Sequence, residues 1–265
     1  MVPVAQAAPV AAPAAASTPL LTSIWNFRDV AGDGVVLADG TTMATGWVYR
    51  SGKLKDLSTA ETEVLTGLGI TDLYDLRSAS AIAKAPDPAV PGATHHRIDV
   101  FAGRQLGFHG STTKAARAHM RAMNRAFVTV SAERKRIAKV LTAISKATTP
   151  VLIHCAEGKD RTGWVSAMLL NIAGADRATI IDQYLLSNDY RAQLILDRVA
   201  AARAAHGDKR AAITSEFEKL RPSYLEAGLD KAAQKYGSLR GYLTKGLKLS
   251  SATIAKLRDH LRQQR

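Results

Sequence analysis

Several structural devices are excluded by what these 265 residues lack. A single cysteine, Cys155, can form no internal disulfide and can build no Cys-rich zinc cage. The seven histidines contain no i, i+4 pair flanking an acid, so the helical zinc-protease pattern is absent. No apolar run reaches the roughly 18 residues that a membrane-spanning helix needs. Aromatic residues make up 6% of the chain and are not interleaved with basic ones, which argues against base stacking and so against nucleic acid as a partner. Acids are scarce too: 23 Asp and Glu face 36 Lys and Arg, a formal charge of +13. That balance favours anionic partners, either phosphorylated molecules or an acidic membrane surface. The first twenty residues carry no charge at all and hold eight Ala and four Pro. Such a stretch can neither pack a core nor sustain a helix, so residues 1–23 are expected to form a flexible leader. Within it Ala5-Gln6-Ala7 resembles an export cleavage site, but the basic segment that should precede it is missing and Pro3, Pro9 and Pro13 break the apolar run.

From residue 24 onward, short apolar runs alternate with helical periods, the pattern of one mixed α/β domain with a mostly parallel sheet flanked by helices. Strands are expected at Trp47–Arg50, Thr71–Leu76, Thr94–Val100 and Val151–His154. Met123, Phe127, Val130, Ile137, Leu141 and Ile144 recur at helical spacing, which predicts a long amphipathic helix or a helix pair. Its polar face is almost purely basic: residues 102–149 contain ten Lys or Arg and one acid, Glu133. Helices follow at Thr162–Ala173, at Asp176–Asn188 and around Ile254, Leu257 and Leu261.

The chemistry concentrates in His154-Cys155-Ala156-Glu157-Gly158-Lys159-Asp160-Arg161-Thr162-Gly163. This segment leaves an apolar strand and runs straight into an apolar helix. A loop in that position can turn the backbone N–H groups of Ala156, Glu157, Gly158 and Lys159 inward onto one anion at the helix N-terminus. Those dipoles and a guanidinium at Arg161 would pull the Cys155 thiol below its ordinary value of about 8.5 and make thiolate the resting state. Arg161 can clamp two oxygens of a phosphoryl group, and Thr162 can donate its hydroxyl to the sulfur. Gly158 suits a positive φ, and Gly163 lets helix and strand approach closely. His154 either hydrogen-bonds the loop behind the sulfur or is a buried structural histidine.

The loop His-Cys-x5-Arg-Thr-Gly resembles the phosphate-binding loop of the cysteine-dependent tyrosine and dual-specificity phosphatases. Its Gly-Lys-Asp-Arg-Thr version is similar to the atypical bacterial branch, which also acts on phosphoinositides. Asn26–Gly32, Tyr49–Leu54, Asp75–Ser78, Tyr184–Asn188 and Tyr236–Leu243 are similar to further signature segments of that branch, so the resemblance spans about 24–262. It implies a phosphatase domain over 24–265, lid helices at about 104–146 with Met120, Met123 and Phe127 either inside the lid or in the core, and no metal or cofactor. It also favours export over a cytoplasmic location. Asp160 and Asp75 are the candidate acids, with Asp99 a weaker third; Asp75 can equally form an ion pair with a neighbouring arginine. Lys159 would offer a second anion contact. The expected substrates are phosphotyrosine proteins, phosphoserine or phosphothreonine proteins, or phosphoinositides.

Two other classes compete. An idle phosphate-binding module would have no need of the complete set of reacting residues. A sulfur transferase would need neither Arg161 nor Thr162. A nucleotide-binding P-loop is disfavoured, because no Ser or Thr follows Lys159 to reach magnesium.

Overall fold

The computed structural model describes residues 21–104, 107 and 110–263. Its strands are β1 Arg28–Asp29, β2 Val48–Ser51, β3 Asp72–Asp75, β4 Thr94–Arg97 and β5 Val151–His154. They form one sheet in the order β1-β2-β5-β3-β4, parallel throughout except for β1 against β2. Alternate side chains leave the sheet on opposite faces. Tyr74, Val151 and Ile153 join the main core with Phe127, Leu141, Trp164 and Val165, whereas Tyr49, Leu73 and Leu152 pack on the other face with Phe27, Leu54 and Leu65. Both faces of the sheet are therefore covered, as a parallel sheet requires. β4 stops at Arg97, short of the expected Val100, because the Asp99 carboxylate turns the chain by accepting the amides of Phe101 (3.1 Å) and Gly103 (2.8 Å).

The helices are α1 Thr59–Gly67, α2 Ala79–Lys84, α3 Thr113–Thr129, α4 Ser131–Ile144, α5 Arg161–Ala173, α6 Arg177–Leu185, α7 Ala192–Glu218, α8 Pro222–Tyr236, α9 Leu239–Gly241 and α10 Ser251–Arg262. A π-helical turn, Tyr242–Gly246, lies between the last two. α1 opens with a capping box in which Ser58 and Glu61 satisfy each other's backbone N–H. α5, which follows the Cys155 loop, is buried on almost every side and ends at Gly174 in the left-handed conformation. None of the described helices is long and apolar enough to cross a membrane.

One expected boundary needs correction: residues 21–23 belong to the folded domain, for Leu21 is buried and the amides of Thr22 and Ser23 donate to Glu61 Oε1 at 2.5 and 2.9 Å. Residues 1–20 lie outside the described residues. Of the expected long helix or helix pair, the pair is found, divided at Val130 into α3 and α4. Met120 and Met123 pack against Ile213, Phe217 and Tyr224, and Phe127 enters the main core. Of the two roles left open for these three side chains, packing in the interior is the one their contacts show.

Candidate active site

Ser51 at the end of β2 and Asp75 at the end of β3 are both in register with His154 at the end of β5. Three parallel strands thus finish level, and Cys155 emerges at their carboxyl ends, where open α/β sheets gather their ligands. The loop from Cys155 to Asp160 then joins β5 to α5. Its carbonyls are held from outside. Ala156 O accepts from the Lys53 amide (3.1 Å), Glu157 O from Asn26 Nδ2 (3.1 Å) and Gly158 O from the Arg50 guanidinium (2.6 Å). A peptide plane whose carbonyl points out turns its N–H in, so these contacts aim the following amides at the loop's centre. Gly158 has φ +66°, and a Cβ there would lie 2.5 Å from Ser51 O. No side chain fits.

The supports come from the segments around residues 26, 50 and 187. Arg28 donates to Gln183 O (3.1 Å) and Ser187 Oγ (3.2 Å), and it also holds the Asn26 side chain whose amide reaches the loop. Arg50 is buried, and its burial pulls the guanidinium down to about 10 against the opposing pull of Cys155 and Tyr184. A cation therefore sits directly behind the loop.

Cys155 is 2% exposed, at the floor of a cavity of about 270 Å³. Burial pushes its thiol up, but the Arg161 guanidinium and the hydroxyl and amide of Thr162 outweigh both that and the opposing charge of Asp160, so the thiol lies below its ordinary value. Arg161 donates to Leu76 O (3.3 Å), and its guanidinium carbon stands 4.6 Å above the Phe101 ring. Lys159 is buried and bonded to the Asp160 carboxylate at 2.9 Å. Its charge is spent within the loop, contrary to the expected second anion contact. Asp160 and Arg161 also border a neighbouring cavity of about 450 Å³ lined by Ser78, Asp99, Phe101, Arg104 and Met123.

Asp75 is engaged by an arginine, the ion pair that was one of its two expected roles. Both its oxygens accept from Arg77, at 2.7 to 3.0 Å, and Arg77 also bonds Asp87. Burial raises the Asp75 carboxyl, but Arg77 and His154 more than offset it, leaving Asp75 below its ordinary value. His154 is fully buried, and desolvation holds it below its ordinary value and neutral. Its ring nitrogens make no hydrogen bond and stand 4.0 Å from Asp75 and 3.6 Å from Asp87. Asp75, Asp87 and His154 are close enough to chelate a metal. With the Arg77 guanidinium already bonded to both carboxylates, however, that cluster is internally neutralised.

The cover over Cys155 is α7. Arg198, Arg210, Thr214, Phe217 and Glu218 line the cavity together with the loop. Glu157 ties the two together: its carboxylate accepts from Arg191 (3.1 Å), which precedes α7, and from Arg198 (2.8 Å). Glu218, at the far end of the helix, receives the same two arginines at 2.7 and 3.0 Å. None of these α7 contacts was foreseen.

A model of the tyrosine phosphatase family matches residues 19–263. The chain belongs to that family. It is 32% identical over 91% of its length to the triple specificity protein phosphatase PtpB of Mycobacterium tuberculosis, of which the match covers 98%. It is 28% identical over 81% of its length to a tyrosine-protein phosphatase of Nostoc commune, of which 74% is covered. As a tyrosine phosphatase family member the chain is a cysteine-based phosphatase, and its substrates are phosphate esters. The phosphatase fold is the mostly parallel five-stranded sheet already described.

Proposed function

We propose that the chain hydrolyses phosphotyrosine in proteins, with phosphoserine, phosphothreonine and phosphoinositides as further substrates of the same loop. The PtpB relative is named for triple specificity, which is in keeping with that range. In this reading the Cys155 thiolate attacks phosphorus, an S–P bond forms, and the ester P–O bond breaks. A proton held by the Lys159–Asp160 pair passes through the Asp160 carboxyl to the leaving oxygen. Water then attacks the phosphocysteine, returns a proton to Asp160, and releases inorganic phosphate with the thiolate restored. Arg161 and the inward amides of Ala156, Glu157, Gly158 and Lys159 carry the charge of the transferring group, and Thr162 stabilises the sulfur as nucleophile and leaving group. Asp75 acts through Arg77 as a support rather than as the proton donor.

One observation carries the reading: a nearly buried thiol held below its ordinary value by a guanidinium six residues on, at the bottom of a cavity with an aromatic wall. A side chain has to reach deep to meet that sulfur, which favours a long aryl ester. Exposed Lys135, Arg136, Lys139 and Lys146 on and just after α4 support approach to an anionic membrane surface when the ester is a lipid. The decisive test is Cys155→Ser. It should abolish turnover of p-nitrophenyl phosphate and of a phosphotyrosine peptide while the folded protein still binds inorganic phosphate. Residual turnover near that of the parent would remove Cys155 from the reaction.

A further inference from the structure

Beyond the kink at Gly207, α7 turns Arg210, Thr214 and Phe217 toward the Cys155 cavity. These are positions i, i+4 and i+7 of one helical face. Exposure grades along the stripe: Phe217 is buried, Thr214 half-buried, and Arg210 lies open at the rim. The stripe runs from the reacting floor to the mouth.

The charges around the cavity are mostly committed to one another. Lys159 is bonded to Asp160 at 2.9 Å, and Arg198 to Glu157 at 2.8 Å and Glu218 at 3.0 Å. Among the described residues, neither of the other two cations lining the cavity, Arg161 and Arg210, has a carboxylate within salt-bridge distance. Arg161 is spoken for by the phosphoryl group. Arg210 is left over, at a site where a substrate that has placed its phosphate on Cys155 must pass.

We infer that Arg210 recognises a second anionic group on the substrate, a single carboxylate side chain neighbouring the phosphorylated residue of a peptide. The inference rests on the phosphatase reading above. One exposed guanidinium matches one carboxylate. A second phosphate, as on a bis-phosphorylated inositol, brings a denser charge that is usually met by several donors, and the neighbouring Lys159 and Arg198 are already engaged.

The experiment compares kcat/KM on phosphotyrosine peptides that differ only in carrying Asp and Glu or Asn and Gln beside the phosphoresidue. The parent protein should prefer the acidic peptide by about two- to fivefold at low salt, the range of an exposed ion pair, and lose that preference at high salt. Arg210→Ala should bring the ratio to about one, Arg210→Glu should invert it, and Arg210→Lys should retain most of it. An acidic preference equal in Arg210→Ala and the parent, or none in the parent at low salt, overturns the inference. So does a peptide ratio that stands while Arg210→Ala shifts the ratio for mono- over bis-phosphorylated inositol, since that assigns the arginine to a lipid headgroup. Failure of the phosphatase reading looks different: the parent would then turn over neither peptide, nor p-nitrophenyl phosphate, in a Cys155-dependent way.

Discussion

Gly158→Ala is the most economical probe of the loop, because it adds one methyl group and alters no charge. The new Cβ would stand 2.5 Å from Ser51 O, 2.6 Å from Ser51 C and 2.8 Å from Gly52 N, all backbone atoms of the β2 end, where no side chain can swing aside. The residue would also be held at φ +66°, which costs an L side chain about 1–2 kcal/mol before any contact is counted. Relieving the overlap adds the usual penalty of overpacking, about 1–3 kcal/mol. To reach ordinary van der Waals separation the loop must retreat from β2 by nearly an ångström. The Arg50 bond to Gly158 O, at 2.6 Å, and the Lys53 bond to Ala156 O, at 3.1 Å, would stretch with it. In the proposed mechanism those bonds orient the amides that would receive the phosphoryl group, and a displacement of about 1 Å at a reacting centre can lower the rate on the order of a hundredfold. The assay is kcat/KM with p-nitrophenyl phosphate alongside a thermal melt. Activity should fall about a hundredfold in a protein that still unfolds cooperatively, destabilised by roughly 2–5 kcal/mol. Wild-type kcat/KM in this variant would mean that the loop does not bind phosphate in the geometry described.

Three further outcomes follow from the same contacts. Cys155 lies below its ordinary thiol value, so its rate of alkylation by iodoacetamide should reach half-maximum below pH 8.5; Arg161→Ala and Thr162→Val should each move that midpoint upward, and a parent midpoint at or above 8.5 would contradict a stabilised thiolate. Because this acid is depressed on folding, the stability it contributes is present above the unfolded-state value and fades as pH falls through the folded-state value, a loss that Cys155→Ser should remove from the pH-stability curve. Asp160→Asn should slow an alkyl phosphate by about 10²–10⁴-fold but p-nitrophenyl phosphate much less, since p-nitrophenolate leaves without a proton; equal losses on both substrates would exclude Asp160 as the acid. Glu157→Gln takes one of two carboxylates from the fully buried Arg191 and should cost about 1–3 kcal/mol in a denaturant titration, with an unchanged midpoint showing that α7 is not held through the loop.

What the sequence revealed, and what it hid, divides along physical lines. β5 and its loop were legible because Val151–Ile153 is a run of apolar residues and the motif that follows contains the proposed reacting groups within ten positions. β1 was not: Arg28 and Asp29 are both buried, but they are polar and serve the loop and the turn at Ala31, so no alternation marks them as a strand. The helical period of 114–146 was real and its buried face correctly drawn. Periodicity identifies the face a helix hides and is silent about what it hides against, so lid and core stayed open for Met120 and Met123 until the fold set them against α7 and α8.

The role of α7 was hidden for a related reason. Glu157 meets Arg191 and Arg198 at separations of 34 and 41 residues, and neither the loop motif nor the helix pattern requires the other. Charge composition alone suggested a surplus of cations available to any anion. Ion pairs leave that net charge unchanged but fix where it is free to act: Lys159 is held on Asp160, Arg198 on Glu157 and Glu218, Arg104 on Glu133, Arg117 and Arg221 on Glu216, Arg77 on Asp75. A formal +13 is therefore a poor guide to the attraction a substrate meets at the cavity, where, among the described residues lining it, the cations without a carboxylate partner are Arg161 and Arg210. Selectivity among phosphate esters at the cavity then turns on what each brings besides its phosphoryl group, and on whether that second group can reach Arg210.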